Sequence, residues 1–266
     1  MAATVGEMMV LDDAAALAVA AAERFCACLA GGVNDRGEAH VALTGGSSAV
    51  ALYRELVRPR WRPALDWSRL HLWWGDERYV PLDHPQSNAG MAIRTLLEPG
   101  LDEEVDASTA LPVPASQVHP MPVDEAIGRG LGAPWAAERH AVKVRGLIDR
   151  RAGGVPVFDL VLLGVGVDGH ILSAFPGSPA LARDAPLVMA LPAPTHVEPH
   201  LARITHSPAI LPAADAILVM VHGSAKARIV EQAMRGDTDP DRLPARLAVR
   251  ANATWLLDRE SAALLS

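Results

Sequence analysis

Phe158-Asp159-Leu160-Val161-Leu162-Leu163-Gly164-Val165-Gly166-Val167-Asp168-Gly169-His170, continuing Ile171-Leu172-Ser173-Ala174-Phe175-Pro176-Gly177-Ser178-Pro179, is the stretch on which the reading of this chain turns. Phe158 and Leu160 to Leu163 form an apolar run closed by glycine, which reads as a strand buried on both faces of an α/β sheet. In open α/β sheets ligands bind beyond the carboxyl ends of the strands. The loop after this strand therefore falls where function sits. Its glycines at 164, 166 and 169 allow close backbone approach, and Asp168 and His170 point to acid–base chemistry.

The same glycines satisfy the G-x-G-x-x-G dinucleotide pattern, but the context that pattern needs is missing. No long helix can open at Gly169, because Pro176, Gly177 and Pro179 follow closely. The next apolar run, Leu187 to Leu191, ends in proline with no acidic residue. A nucleotide cofactor is not expected.

Working outward, apolar strand candidates alternate with helical patterns, the sequence form of a mostly parallel, Rossmann-like sheet in a three-layer α/β/α fold. Helices are expected over about 12–30, from Ser47 to before Pro59, over Asn88–Leu97, as one long element over 123–150, over Ser224–Met234 and over Glu260–Leu265. Strands are expected at Val41–Leu43, Leu70–Trp74, 158–163, Ala216–Val221 and Thr254–Leu257. Residues 98–122 read as loop with a short strand near Val118, and the proline-rich 176–214 as short strands and loops. No linker divides the 266 residues, so a single domain over 1–266 is expected, and a composition 50% hydrophobic is ample for its core.

The net charge of −7 without a block of lysine or arginine argues against nucleic acid or an anionic membrane as partner. The two cysteines, Cys26 and Cys28, lie on different faces of a predicted helix, which suits reduced thiols. Asp12 and Asp13 at a helix start, with no basic residue before Ala14–Ala22 and no apolar stretch of about 20 residues, predict a soluble cytoplasmic protein. Nothing marks an obligate protein partner.

Three further constellations follow strands. Thr44-Gly45-Gly46-Ser47-Ser48 can offer backbone N–H groups and a helix N-terminus to a phosphate, or simply start a helix with a serine cap. A serine-hydrolase elbow is excluded by Ala49, where a glycine is required. Trp73-Trp74-Gly75-Asp76-Glu77-Arg78 sets a planar guanidinium beside the crevice, suited to phosphate or to a surface ion pair, and Ser87-Asn88 can cap a helix or bind a polyol. Arg203-Ile204-Thr205 and Gly223-Ser224-Ala225-Lys226 add cations, and Lys226 in a first helical turn opposes the helix dipole unless an anion sits there. His196 and His200 are spaced loosely like metal ligands, but Pro199 breaks the helix that would align them, so no metal is expected.

Taken in order, T-G-G-S-S, W-W-G-D-E-R-Y-V, S-N, G-V-G-V-D-G-H-I-L-S-A-F-P, R-I-T and G-S-A-K resemble the 6-phosphogluconolactonase family over essentially the whole chain. The resemblance implies a cofactor-free, metal-free hydrolase that opens 6-phospho-D-glucono-1,5-lactone in the pentose phosphate pathway. It assigns His170 as general base with Asp168 in support, and Arg78, Arg203 and Lys226, with Gly45, Gly46 and Ser47, as the groups that hold phosphate or the developing oxyanion. The family usually has Thr-Ala-Ser-Leu after the histidine, whereas this chain has Ile171-Leu172-Ser173-Ala174. Glucosamine-6-phosphate deaminases share the G-x-G-x-D-G-H loop, and Ile171 leans their way. They follow it with Asn-Glu-Pro, which is lacking here, and carry an aromatic residue where Arg78 stands. A non-catalytic sugar-phosphate sensor on the same fold is the remaining alternative, but no DNA-binding helix-turn-helix is appended.

Overall fold

The computed structural model describes residues 6–98, 109–235 and 239–265. In chain order the elements are β1 (Glu7–Leu11), α1 (Ala14–Arg36), β2 (Ala39–Leu43), α2 (Ser47–Leu56), β3 (Leu70–Trp74), β4 (Asp76–Arg78), α3 (Asn88–Leu96), α4 (Val123–Gly128) and α5 (Ala133–Leu147). They continue as β5 (Arg151–Ala152), β6 (Val155–Pro156), β7 (Leu160–Leu163), β8 (Val188–Leu191), β9 (Arg203–His206), α6 (Ile210–Ala213), β10 (Ala216–Val221), α7 (Ala227–Arg235) and β11 (Ala253–Asp258).

Six strands form one sheet in the order β1-β11-β10-β7-β2-β3, with every pairing parallel. Alternate residues of each strand face opposite layers, as the pleat requires. Val41, Leu43, Leu72, Trp74, Leu160 and Leu162 pack with Leu17, Phe25, Leu52 and Leu96 of α1, α2 and α3. Ala42, Trp73, Val161, Leu163, Val219 and Trp255 face the other side, where α4, α5 and α7 contribute Ala126, Val144 and Val230. The three-layer α/β/α arrangement follows directly from this two-faced burial.

A second, antiparallel sheet, β4-β9-β8, lies beyond the first. Gly75 is the point of transfer between them. Its N–H donates to the Leu43 carbonyl of the parallel sheet, while its own carbonyl accepts from the His206 N–H of β9. A Cβ on Gly75 would run into the Leu172 side chain at 2.6 Å, so the loop after β7 packs on this transfer point.

Several expectations need correction. The helix over 123–150 is two helices, because Gly130 and Gly132 take positive φ and Pro134 starts a new helix. Glu260–Leu265 is a set of turns rather than a helix, held by the Ser261 N–H and the Asp258 carboxylate. The 224–234 helix begins as a 3-10 turn over Ser224–Lys226 and becomes α-helical at Ala227. Near Val118 there is a single parallel bridge to Leu72; the part of the expected loop over 99–108 lies outside the described residues. The strand β1 and the β5–β6 hairpin were not expected. Finally, α1 is long and apolar enough, by length and composition, to cross a membrane, although Leu17, Ala21, Phe25 and Leu29 are buried in the core.

Candidate active site

The chain runs from β2 outward to β3 and then returns to the far side of β2 with β7, so the connections leave this point of the sheet in opposite directions. Such a switch point opens a crevice beyond the strand ends. A cleft of about 270 Å³ occupies it, lined by the loops after β2, β7 and β10 and by Asp76, Arg78 and Asn88.

From β7 comes the dyad. His170 Nδ1 lies 2.5 Å from Asp168 Oδ1, which also accepts the His170 backbone N–H at 3.2 Å. Burial pushes the Asp168 carboxyl up, but the bonds and charge of His170 and a bond from His196 outweigh it and hold the carboxyl well below the usual range. An ionised carboxylate only accepts, so Nδ1 of His170 carries the proton and Nε2 keeps its lone pair. His170 lines the cleft. The dyad packs directly on Gly166, where an added Cβ would collide with the imidazole and reach Asp168 Oδ1 at 2.5 Å. That close approach, rather than a pyrophosphate, is what the glycine spacing serves here. At Gly169, φ is +85°, which favours glycine for a second reason.

From β2 comes a helix N-terminus. Tyr53 of α2 braces the loop, its hydroxyl donating to the Thr44 carbonyl at 2.8 Å and accepting the Thr44 N–H at 3.2 Å. Gly46 then takes φ 93° and α2 starts at Ser47 without a side-chain cap, so its first-turn N–H groups open on the cleft. The serine-cap expectation is thereby corrected. Ser47 and Ser48 instead pair with the two ring nitrogens of His222, at 3.2 and 3.1 Å. Sequence reasoning missed His222; its place at the end of β10, directly before Gly223, was the available signal.

Glu77 is buried and accepts from the backbone N–H groups of Arg78, Asn88 and Ala89 and from the Ser87 hydroxyl. Burial raises its carboxyl against those bonds. It fixes α3 and turns Asn88 toward the cleft. There Asn88 donates to the Asp76 carbonyl at 3.0 Å and packs so closely on Gly45 that a Cβ would collide.

The three expected cations part company. Arg78 lines the cleft and donates to the Gln86 carbonyl at 2.8 Å, while its buried Nε meets no partner among the described residues. Lys226 also lines the cleft, donating to the Val165 carbonyl at 2.6 Å; burial pulls its ammonium down, against the pull of Asp168. Arg203 is not among the lining residues. It is buried, with its guanidinium on the carbonyls of Leu201 and Pro199 at 3.0 and 2.8 Å. Burial and the facing Arg78 draw it down to about 10, against Asp76 and Glu77. Nor are the amides of Gly223 and Ser224 free for an anion, since they donate to Asp258 and Glu260. His196 and His200 serve separate carboxylates, Asp168 and Glu198, rather than one metal.

A sheet switch point that carries a carboxylate-paired histidine, an uncapped helix N-terminus and two cleft cations defines an α/β enzyme site for a small anionic ligand. The family of glucosamine-6-phosphate isomerases/6-phosphogluconolactonase matches residues 12–256, and this chain belongs to it. A 6-phosphogluconolactonase of Mycobacterium tuberculosis is 36% identical over 258 residues, covering 96% of this chain and 97% of that protein. Among solved structures, 6-phosphogluconolactonase from Trypanosoma cruzi superposes with a TM-score of 0.85 at 25% identity, covering 100% of this chain and 98% of the other. The Trypanosoma brucei 6-phosphogluconolactonase gives 0.82 at 27%, covering 98% of each.

Proposed function

We propose that this protein hydrolyses 6-phospho-D-glucono-1,5-lactone to 6-phospho-D-gluconate, with residues 1–266 acting as one domain. The observation that carries the reading is the His170–Asp168 pair, whose geometry leaves a basic Nε2 at the cleft between the loops that follow β2 and β7. In this reading the phosphate lies against the first turn of α2, at Gly45, Gly46 and Ser47, with Arg78 and Lys226 as its cationic partners. Arg203 serves from behind, by shaping the loop that follows β8.

His170 Nε2 takes a proton from water as the oxygen attacks the lactone carbonyl carbon. The carbonyl becomes a tetrahedral oxyanion, and one of the cleft cations stabilises it. Collapse breaks the bond to the ring oxygen, which receives the proton back from His170. The new carboxyl group then ionises. Phosphate binding holds the reacting carbon in place and so lowers the entropic part of the barrier.

The family also includes aminosugar-phosphate isomerases, and the experiment separates the two chemistries. Purified protein is offered freshly prepared 6-phosphogluconolactone, unphosphorylated gluconolactone and glucosamine 6-phosphate, with acid release and ammonia release followed. Fast acid release from the first lactone alone is expected. Ammonia release, or equal turnover of both lactones, would overturn the reading.

A further inference from the structure

Asp168 has a second histidine that the reaction as described does not use. Its Oδ1 is taken by His170, and its Oδ2 accepts from His196 Nε2 at 2.9 Å. His196 belongs to the irregular segment between β8 and β9, far from the dyad in sequence. Because the carboxylate is ionised and only accepts, the His196 nitrogen that reaches it must carry a proton. Phe175 sits against both rings, 4.6 Å from His170 and edge-on to His196 at 5.6 Å, so the three rings form one packed group.

The same segment carries Val197 and Glu198 into the wall of the cleft. It is fixed on the far side by the Arg203 guanidinium, which holds the carbonyls of Pro199 and Leu201. On the near side, His196 is its side-chain tie to the site. We propose that His196 is a positioning residue. By donating to Asp168 Oδ2 it fixes the rotation of the carboxylate, so that Oδ1 stays on His170, and it docks the 196–201 segment as a wall of the cleft. The proposal rests on the lactonase reading for its kinetic test, although the contact itself does not depend on the substrate.

The chemistry gives the direction of the effect. A carboxylate shared between two donors is a weaker acceptor for each, and a protonated or polarised His196 withdraws charge from Asp168. Removing His196 concentrates the carboxylate charge on His170. Proton uptake by His170 then becomes easier, and the acid limb of the pH–rate profile moves to higher pH. The other charged and titratable groups around the pair are Lys226, which faces Asp168, and Asp76, Arg78, Glu198 and His222, which line the cleft with His170. None of these changes in the variants tested.

The experiment compares His196→Ala, His196→Gln and, as a control on the same segment, His200→Ala. For His196→Ala, kcat is expected to fall about tenfold through lost alignment, well short of loss of the base itself. The acid limb of kcat/KM should rise by about half a pH unit. His196→Gln, whose side-chain amide can donate to the same oxygen, should recover most of kcat, and His200→Ala should match the unaltered protein. An imidazole NMR titration supplies a substrate-free readout, in which the His170 signals of His196→Ala should move at higher pH than in the unaltered protein. An unchanged pH profile and unchanged His170 titration in His196→Ala would overturn the proposal. So would an equal loss in His196→Gln and His196→Ala, since a donor at that position would then be irrelevant. If the unaltered protein does not hydrolyse the lactone, the proposed function fails, and the NMR titration alone decides the role of His196.

Discussion

Two groups of histidines occupy this molecule under opposite rules. Around the cleft, His170, His196 and His222 each meet an oxygen of Asp168, Ser47 or Ser48, and His170 and His222 line the space open to a ligand. In the layer between the two sheets, His119, His140 and His206 are packed among rings. His119 lies 4.1 Å from Trp73, His140 meets Trp73 and His206 edge-on, and Phe158 stands perpendicular to His206. Neither ring nitrogen of His140 or His206 has a partner among the described residues. Burial holds His119 and His206 down to about 3 and His140 well below its ordinary value, with like-charged neighbours adding to the effect at His119 and His140. The same side chain is thus a base where a carboxylate faces it and a neutral aromatic plate where rings surround it.

The strongest way to break the comparison is to remove the cleft's base. His170→Asn should lower kcat by about 10²–10⁴-fold while product binding largely survives, as steady-state kinetics and calorimetry would measure. Near-normal turnover would mean that the carboxylate-paired histidine is not the base. Gly166→Ala attacks the packing beneath it: the new methyl must displace the imidazole, and a shift of about 1 Å should cost about 10²-fold in kcat/KM with the fold retained by circular dichroism.

The core group is tested by acid. Because the folded-state values lie below the unfolded value near 6.5, the unfolded chain binds protons that the native core refuses. Stability contributed by neutral His206 is therefore complete above pH ~6.5 and drains away as pH falls toward about 3, at up to about 1.4 kcal/mol per pH unit, and His140 acts in the same direction. The urea midpoint should drop between pH 7 and pH 5, and His206→Phe should flatten that slope. An unchanged slope would place the protons elsewhere. The smallest effect sharpens the boundary between the groups. His222→Asn should raise KM for the phosphorylated lactone only a few-fold and leave the unfolding free energy measured in urea within about 0.5 kcal/mol, since both serines can turn to water.

The cleft was more legible in the sequence than the core, for a physical reason. The groups proposed for the site come on glycine-bounded loops at strand ends, so Asp168, His170, Gly45 and Lys226 announce themselves locally. The aromatic layer has no local signature. Its histidines come from the loop before α4, from α5 and from β9, around Trp73 of β3, and only the folded chain brings them together. Short strands were expected over 176–214, but the pairing of β4 with β9 was invisible for the same reason, a three-residue strand meeting its partner across more than a hundred positions. Arg203 shows the limit of motif reading: the motif groups it with the cleft cations, but it opens β9 and its side chain turns to the backbone carbonyls instead of the cleft. Asp168 and His196 meet through a contact that no spacing could reveal.

The pairing of β1 with β11 carries a consequence for how the chain assembles. Glu7 through Leu11 align with Thr254 through Asp258, so β1 leaves the ribosome long before its hydrogen-bonding neighbour. Until β11 arrives, β1 has no ladder to join, while β2, β3 and β7 already have one another. Nascent chains therefore carry an unclosed sheet edge through most of synthesis, a period when exposed strands invite misassembly. Among the described residues β1 pairs on one side only, so its amides exchange with solvent ahead of those of the central strands.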